Sequence, residues 1–125
     1  MNLYHLLLIG LGGFFGSISR FTLSYGFLKL GWIQFPWATF FVNLLGSLLI
    51  GVAFGLLLEN EEYPEHYKLF FATGFLGSFT TFSTFSFETF EMVNNHLYLQ
   101  AALYSVGSIV LGTALAYIGY TFIKA

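Results

Sequence analysis

Cysteine is absent from the chain, so neither a disulfide framework nor a thiolate metal site can form, and the redox compartment is left open. Charge is almost as scarce. Only 8% of residues are Asp, Glu, Lys or Arg, against about 25% in an average soluble domain, while 57% are hydrophobic. That balance excludes a soluble protein, and 125 residues suit a single domain. No basic patch exists and the formal net charge is -2, so nucleic acid is not expected as a partner. The expected surroundings are lipid. His5, His66 and His96 fall near segment ends rather than in a cluster, so no catalytic constellation is visible and enzyme activity is not expected. The first residues carry no lysine of a secretory leader, and no small-residue cleavage site follows their apolar run. That run is read as the first helix of the mature chain.

A membrane-spanning helix needs about 20 predominantly apolar residues. Punctuation divides the sequence into four such segments, at about 3–28, 36–58, 67–93 and 97–123. Lys29 and Gly31 stop the first, Pro36 opens the second as a favoured first-turn residue, and the polar loop 59–66 precedes the third. Four spans put both termini on one side. Loop lysines and arginines normally orient such a protein, yet Arg20 and Lys29 on one side are balanced by Lys68 and Lys124 on the other. A chain without an orienting charge can insert both ways, and an antiparallel homodimer follows from that.

The most distinctive stretch is Gly74 to Phe90, GFLGSFTTFSTFSFETF. At helical spacing Phe75, Phe79, Phe82 and Phe85 fall on one stripe, and Ser78, Thr81, Thr84 and Glu88 on a second beside it. Gly74 and Gly77 weaken the helix near its middle. A break between Gly77 and Thr80 frees backbone carbonyls, which membrane depth tolerates only beside protein or a cavity. Two antiparallel chains would bring four such oxygens together and suit a monovalent cation; a plain kink fits the glycines equally.

The other helices carry polar groups with two readings each. Thr39, Asn43 and Ser47 form a stripe on the second helix that suits interhelical hydrogen bonds or, through the Asn43 amide, a solute pathway. Gly12 and Gly16 have the spacing of a helix-packing contact. Arg20 lies inside its apolar segment with no acid on that helix to pair with, so it either snorkels or lines water that attracts anions. Tyr104, Ser108 and Gly112 share a face of the last helix. Along these faces hydrogen-bond donors outnumber charges. Phenylalanine rings add positive edges, and together these groups suit a small, strongly hydrated anion that must exchange its water at close quarters.

Three motifs carry a family resemblance along essentially the whole chain. They are GGFFGSISRF at 12–21, TFFVNLLGS at 39–47, and GFLG followed by TTFSTF at 74–77 and 80–85. With them the chain resembles the Fluc (CrcB-type) fluoride channels. The departures are Ser17, Phe21, Ala38 and Ser78, which stand where alanine, tyrosine, glycine and glycine are frequent. The resemblance implies an all-α membrane protein with four transmembrane helices per subunit, the third broken, assembled as a dual-topology antiparallel homodimer with two pores. It implies passive fluoride export across the cytoplasmic membrane, and a structural sodium ion on the backbone carbonyls of Gly77 and Thr80. Asn43 matches the pore asparagine, Phe82 and Phe85 the fluoride-facing rings, and Thr81 and Thr84 the polar track. Tyr104 and Ser108 line the pore, Glu88 ends the track and Arg20 stands at the vestibule.

Two rival classes remain at this level. A small multidrug-type exporter also builds antiparallel dimers of four short helices, but it needs a deep carboxylate, which the first helix lacks; Glu88 and Glu91 lie near one end of the third. A membrane scaffold whose stripes only pack helices predicts no ion flux.

Overall fold

The computed structural model describes residues 1–125, all in helices and turns. Helix α1, Leu3–Lys29, starts where the Asn2 side chain accepts the His5 N–H at 3.0 Å. It ends at Gly31, whose φ of +75° a side-chain-bearing residue would resist. Pro36 precedes α2, Trp37–Leu58, whose last five residues widen into a π-helical turn. The third segment has two parts: α3, residues 65–79, and α4, Ser83–Asn94. His96, at φ 61°, turns the chain into α5, Tyr98–Lys124.

The break in the third segment lies at residues 80–82, later than the expected 77–80. Gly77 is helical, at φ -60° and ψ -31°, and Thr80 is the first extended residue, at φ -81° and ψ 160°. The reason is visible in the hydrogen bonds. The Leu76 carbonyl still accepts the Thr80 N–H at 3.2 Å and the Thr80 hydroxyl at 3.0 Å, so the ladder holds through Phe79. It is the Thr81 N–H that leaves, donating to Asn43 Oδ1 at 2.8 Å. Glycine permits a break, but a competing acceptor on another helix decides where it falls.

This shift also divides the two stripes. The Phe75 and Phe79 rings stack at 5.8 Å and Phe79 is 3% exposed, whereas Phe82, beyond the turn, is 80% exposed. Ser78 likewise belongs to α3, while Thr81, Thr84 and Glu88 stay together on the far side. Helical spacing cannot be carried across residues that are not helical.

Before the break, Lys68–Leu76 is a π-helix, a wide form that is rare and tends to occur at functional sites. It rests on α1 at Gly12 and Gly16, where any side chain would overlap the carbonyl oxygens of Phe70 and Phe75. The packing reading of that glycine pair is the one the backbone adopts. α2 and α5 meet in the same way, with Gly51 on the Ala116 carbonyl and Gly119 on the Leu48 carbonyl.

Only 17 of 125 residues are buried, and large apolar side chains such as Leu7, Phe14 and Ile18 on α1 and Leu103, Val106 and Val110 on α5 are bare. In water such faces would drive aggregation. Leu3–Lys29, Trp37–Leu58 and Tyr98–Lys124 are each long and apolar enough to cross a bilayer, so the chain is a multi-pass membrane protein. Trp32 and Trp37 at one end, and Tyr63 and Tyr67 at the other, suit the two headgroup levels.

Candidate functional site

Two polar groups lie around the break: Asn43, Thr81 and Thr84 form one, and Thr39, Glu88 and Tyr104 the other. Asn43 projects from the second turn of α2 because Thr39, Asn43 and Ser47 recur every four residues on one face. Its Oδ1 accepts the Thr81 N–H at 2.8 Å and its Nδ2 donates to the Thr81 carbonyl at 2.9 Å. The side-chain amide thus replaces the two helical bonds that Thr81 gives up. Ser47 donates to the Asn43 carbonyl at 2.7 Å. The Thr81 hydroxyl donates to that of Thr84 at 3.2 Å and also accepts the Thr84 N–H at 3.3 Å, capping α4 locally.

Farther along α4, Glu88 receives two short hydrogen bonds. Thr39 donates to Oε1 and Tyr104 to Oε2, each at 2.6 Å, lengths of charge-assisted bonds to a carboxylate. Tyr104 is 1% exposed, and aromatic neighbours fix it: Phe85 at 5.0 Å and Phe35 edge-on at 5.3 Å between ring centroids. Sequence reasoning put Thr39 in a stripe but not in the site. The available signal was the stripe itself, since Thr39 lies one turn before Asn43 on the same face.

The turn also leaves groups without partners. The N–H groups of Phe82, Ser83 and Phe85 find no acceptor at the start of α4, the end of a helix that carries partial positive charge. The buried Ser108 hydroxyl on α5 has no hydrogen-bond partner. No donor in the chain reaches the carbonyl oxygens of Gly77 or Thr80. Phe82, Phe85, Ser108, Gly77 and Thr80 border one cavity of about 430 Å³ at the break, together with Asn43 and Thr81. The two phenylalanines differ there. Phe85 is held against Tyr104, while Phe82 projects bare, 6.0 Å away between centroids. Uncommitted carbonyl oxygens are hard donors that fit a monovalent cation such as sodium. Unpartnered N–H and O–H groups fit an anion.

Arg20 reaches the same depth from α1. Its Nε donates to the Ser78 carbonyl at 3.1 Å, adding positive charge at the C-terminal end of α3. The bond ties α1 to the last turn before the break. The remaining residue of the sequence stripes, Gly112, packs against the Ser47 side chain.

The profile of the family described as CrcB-like protein, Camphor Resistance (CrcB), matches residues 7–120. Three curated relatives are similar over nearly their full length. The fluoride-specific ion channel FluC of Nitratidesulfovibrio vulgaris is 43% identical over 117 residues, covering 94% of each chain. That of Thermococcus kodakarensis is 40% identical over 120 residues, covering 96% of each. That of Thermus thermophilus is 43% identical over 126 residues, covering 96% of this chain and 94% of its own.

Proposed function

The chain belongs to the CrcB-like protein family, and we infer from this membership that it is a fluoride-specific ion channel, a transporter and not an enzyme. The fluoride path we propose runs from the cavity at the break along Thr81 and Thr84, past Phe85, to Tyr104, Thr39 and Glu88. One observation carries it: the buried Ser108 hydroxyl, with no partner of its own, borders the same cavity as Asn43, Thr81 and the bare Phe82 ring. An unsatisfied buried hydroxyl costs about 1–3 kcal/mol, which an anion accepting its hydrogen would offset.

Fluoride entering the cavity exchanges water for the Ser108 hydroxyl, the free N–H groups of α4 and the positive edge of Phe82, and then passes along the threonine hydroxyls. Asn43 orients Thr81 and keeps one Nδ2 proton for the ion. No full positive charge lies on this route to hold fluoride, while Arg20 supplies positive potential near the entry. Chloride, being larger, needs the aromatic walls to part, and packed rings resist that. Movement is passive and follows the electrochemical gradient, so the chain lowers internal fluoride when it lies in the cytoplasmic membrane.

The working unit we propose is an antiparallel pair of this chain, each copy crossing the bilayer four times, with α3 and α4 together forming the third crossing. The bare Phe82 ring and the open side of the cavity favour a second copy as their cover. Its carbonyls from Gly77 and Thr80, added to those of the first, would hold a sodium ion that fixes the two breaks against each other.

Efflux from liposomes loaded with potassium fluoride or potassium chloride tests the function. Fluoride loss that requires valinomycin, with chloride retained, is the expected result. Fluoride loss without the ionophore would point to coupled transport, and no loss of either ion from dimeric protein would overturn the channel.

A further inference from the structure

A second cavity, of about 450 Å³, lies at the Glu88 end of the polar line. It opens where α1 ends and α2 begins. Trp32, Gln34 and Trp37 line it from the connecting segment and the start of α2, and Glu88, Glu91 and Asn95 line it from α4 and the turn after it. Glu88 is common to this cavity and to the group formed with Thr39 and Tyr104. Thr39, Glu88 and Tyr104 do not border the first cavity, so Glu88 is where the polar line and the second cavity meet.

Its walls suit water. Polar side chains stand among the apolar ones, and the volume exceeds many times that of a single water molecule. Trp32 and Trp37 are half exposed at the helix ends, the position such rings take at headgroup level. The cavity therefore spans the distance between the half-buried Glu88 carboxylate and the membrane surface. Its lining contains two carboxylates and no basic side chain. A negative opening lowers the local concentration of anions waiting there and shortens their stay.

We propose that this cavity is the aqueous mouth through which the Glu88 end of the polar line reaches the membrane surface, with Gln34 and Glu91 as the residues that set how fast an anion passes it. The proposal rests on the channel reading above. In an antiparallel pair each membrane face would carry one such mouth, so the acidic openings of the two pores would oppose each other and leave the summed current symmetrical.

The absence of cysteine makes the test direct, because an introduced thiol is the only one in the chain. Glu91→Cys and Gln34→Cys are each reconstituted, and fluoride efflux is compared before and after treatment with membrane-impermeant methanethiosulfonates bearing a sulfonate or an ammonium group. The expected result is that both thiols react in the folded dimer and the sulfonate slows efflux severalfold more than the ammonium. Treatment from outside alone should remove about half of the flux that two-sided treatment removes. Thiols that react while efflux stays unchanged, or that react only after denaturation, would overturn the mouth. The two positions lie on different elements, so a folding failure of one variant leaves the other to decide. The cysteine-free protein carries the separate question: if it passes no fluoride, the channel reading fails, whereas its normal flux beside insensitive variants removes only this assignment.

Discussion

The side-chain amide of Asn43 holds Thr81 by both backbone groups, accepting its N–H at 2.8 Å and donating to its carbonyl at 2.9 Å across two helices. This pairing places the break, keeps the Thr81 hydroxyl beside Thr84 and frees the Gly77 carbonyl from its helical donor.

Asn43→Asp is the sharpest probe of that pairing. The variant keeps the acceptor for the Thr81 N–H but turns the donor into an oxygen facing the Thr81 carbonyl, and adds negative charge beside the cavity. We expect fluoride efflux to fall at least tenfold, with a stability loss of about 1–3 kcal/mol from the broken bond, read by thermal unfolding of the detergent-solubilised protein. Unchanged efflux would mean the ion does not pass Asn43.

Ser108→Ala separates a packing role from a pathway role. Because the hydroxyl has no partner, its removal breaks no hydrogen bond within the chain. The thermal midpoint should hold or rise, while fluoride efflux falls severalfold. A variant with full efflux would take Ser108 out of the path.

The two sides of the turn should respond differently to loss of a ring. Phe82→Ile changes a side chain that is 80% exposed in the chain and should cut fluoride flux while the fold persists. Phe79→Ala empties a site that is 3% exposed and should cost about 3–5 kcal/mol, with lost yield as its main effect. Efflux per mass of reconstituted protein, measured beside yield, distinguishes them.

Gly16→Leu should abolish folded protein, since any side chain there overlaps the Phe75 carbonyl and parts α1 from the π-helical stretch. Gly10→Ala, at a position with nothing within 4 Å, should be tolerated. Size-exclusion profiles of the two purified variants make the comparison.

At the ends of α2 and α5, Glu59 pairs with Lys124 at 2.9 Å and accepts the Tyr120 hydroxyl at 3.0 Å. The Lys124 hydrogen bond, aided by Tyr120 and by the Lys124 charge, holds the Glu59 carboxyl below its ordinary range against the opposing effect of desolvation. A lowered folded-state value means this link is complete above the ordinary glutamate range and is lost as pH falls through the lowered value. Protection against hydrogen exchange in the last turn of α5, relative to the intrinsic rate at each pH, should therefore fall only in acid, and Glu59→Gln should show lower protection at neutral pH. Equal rates in both proteins across the range would mean the link does not hold the helix end.

The sequence by itself determined the solvent and the class. Scarcity of charge and apolar segments of spanning length require a bilayer whatever the packing, because burying so few polar groups in water-facing surface has no soluble solution. Motifs such as TTFSTF are local in the chain, so the family could be read from them without a fold. The tertiary structure decided what each polar group does. Whether the third segment breaks after Gly77 or after Thr80 depends on an acceptor 38 residues away, and no helical period contains that information. Thr39 joined Glu88, and Arg20 joined the Ser78 carbonyl, through contacts between helices whose rotation only packing fixes. Spacing ranks residues along one helix, but a hydrogen bond between helices is set by where their backbones can touch, here at Gly12 and Gly16.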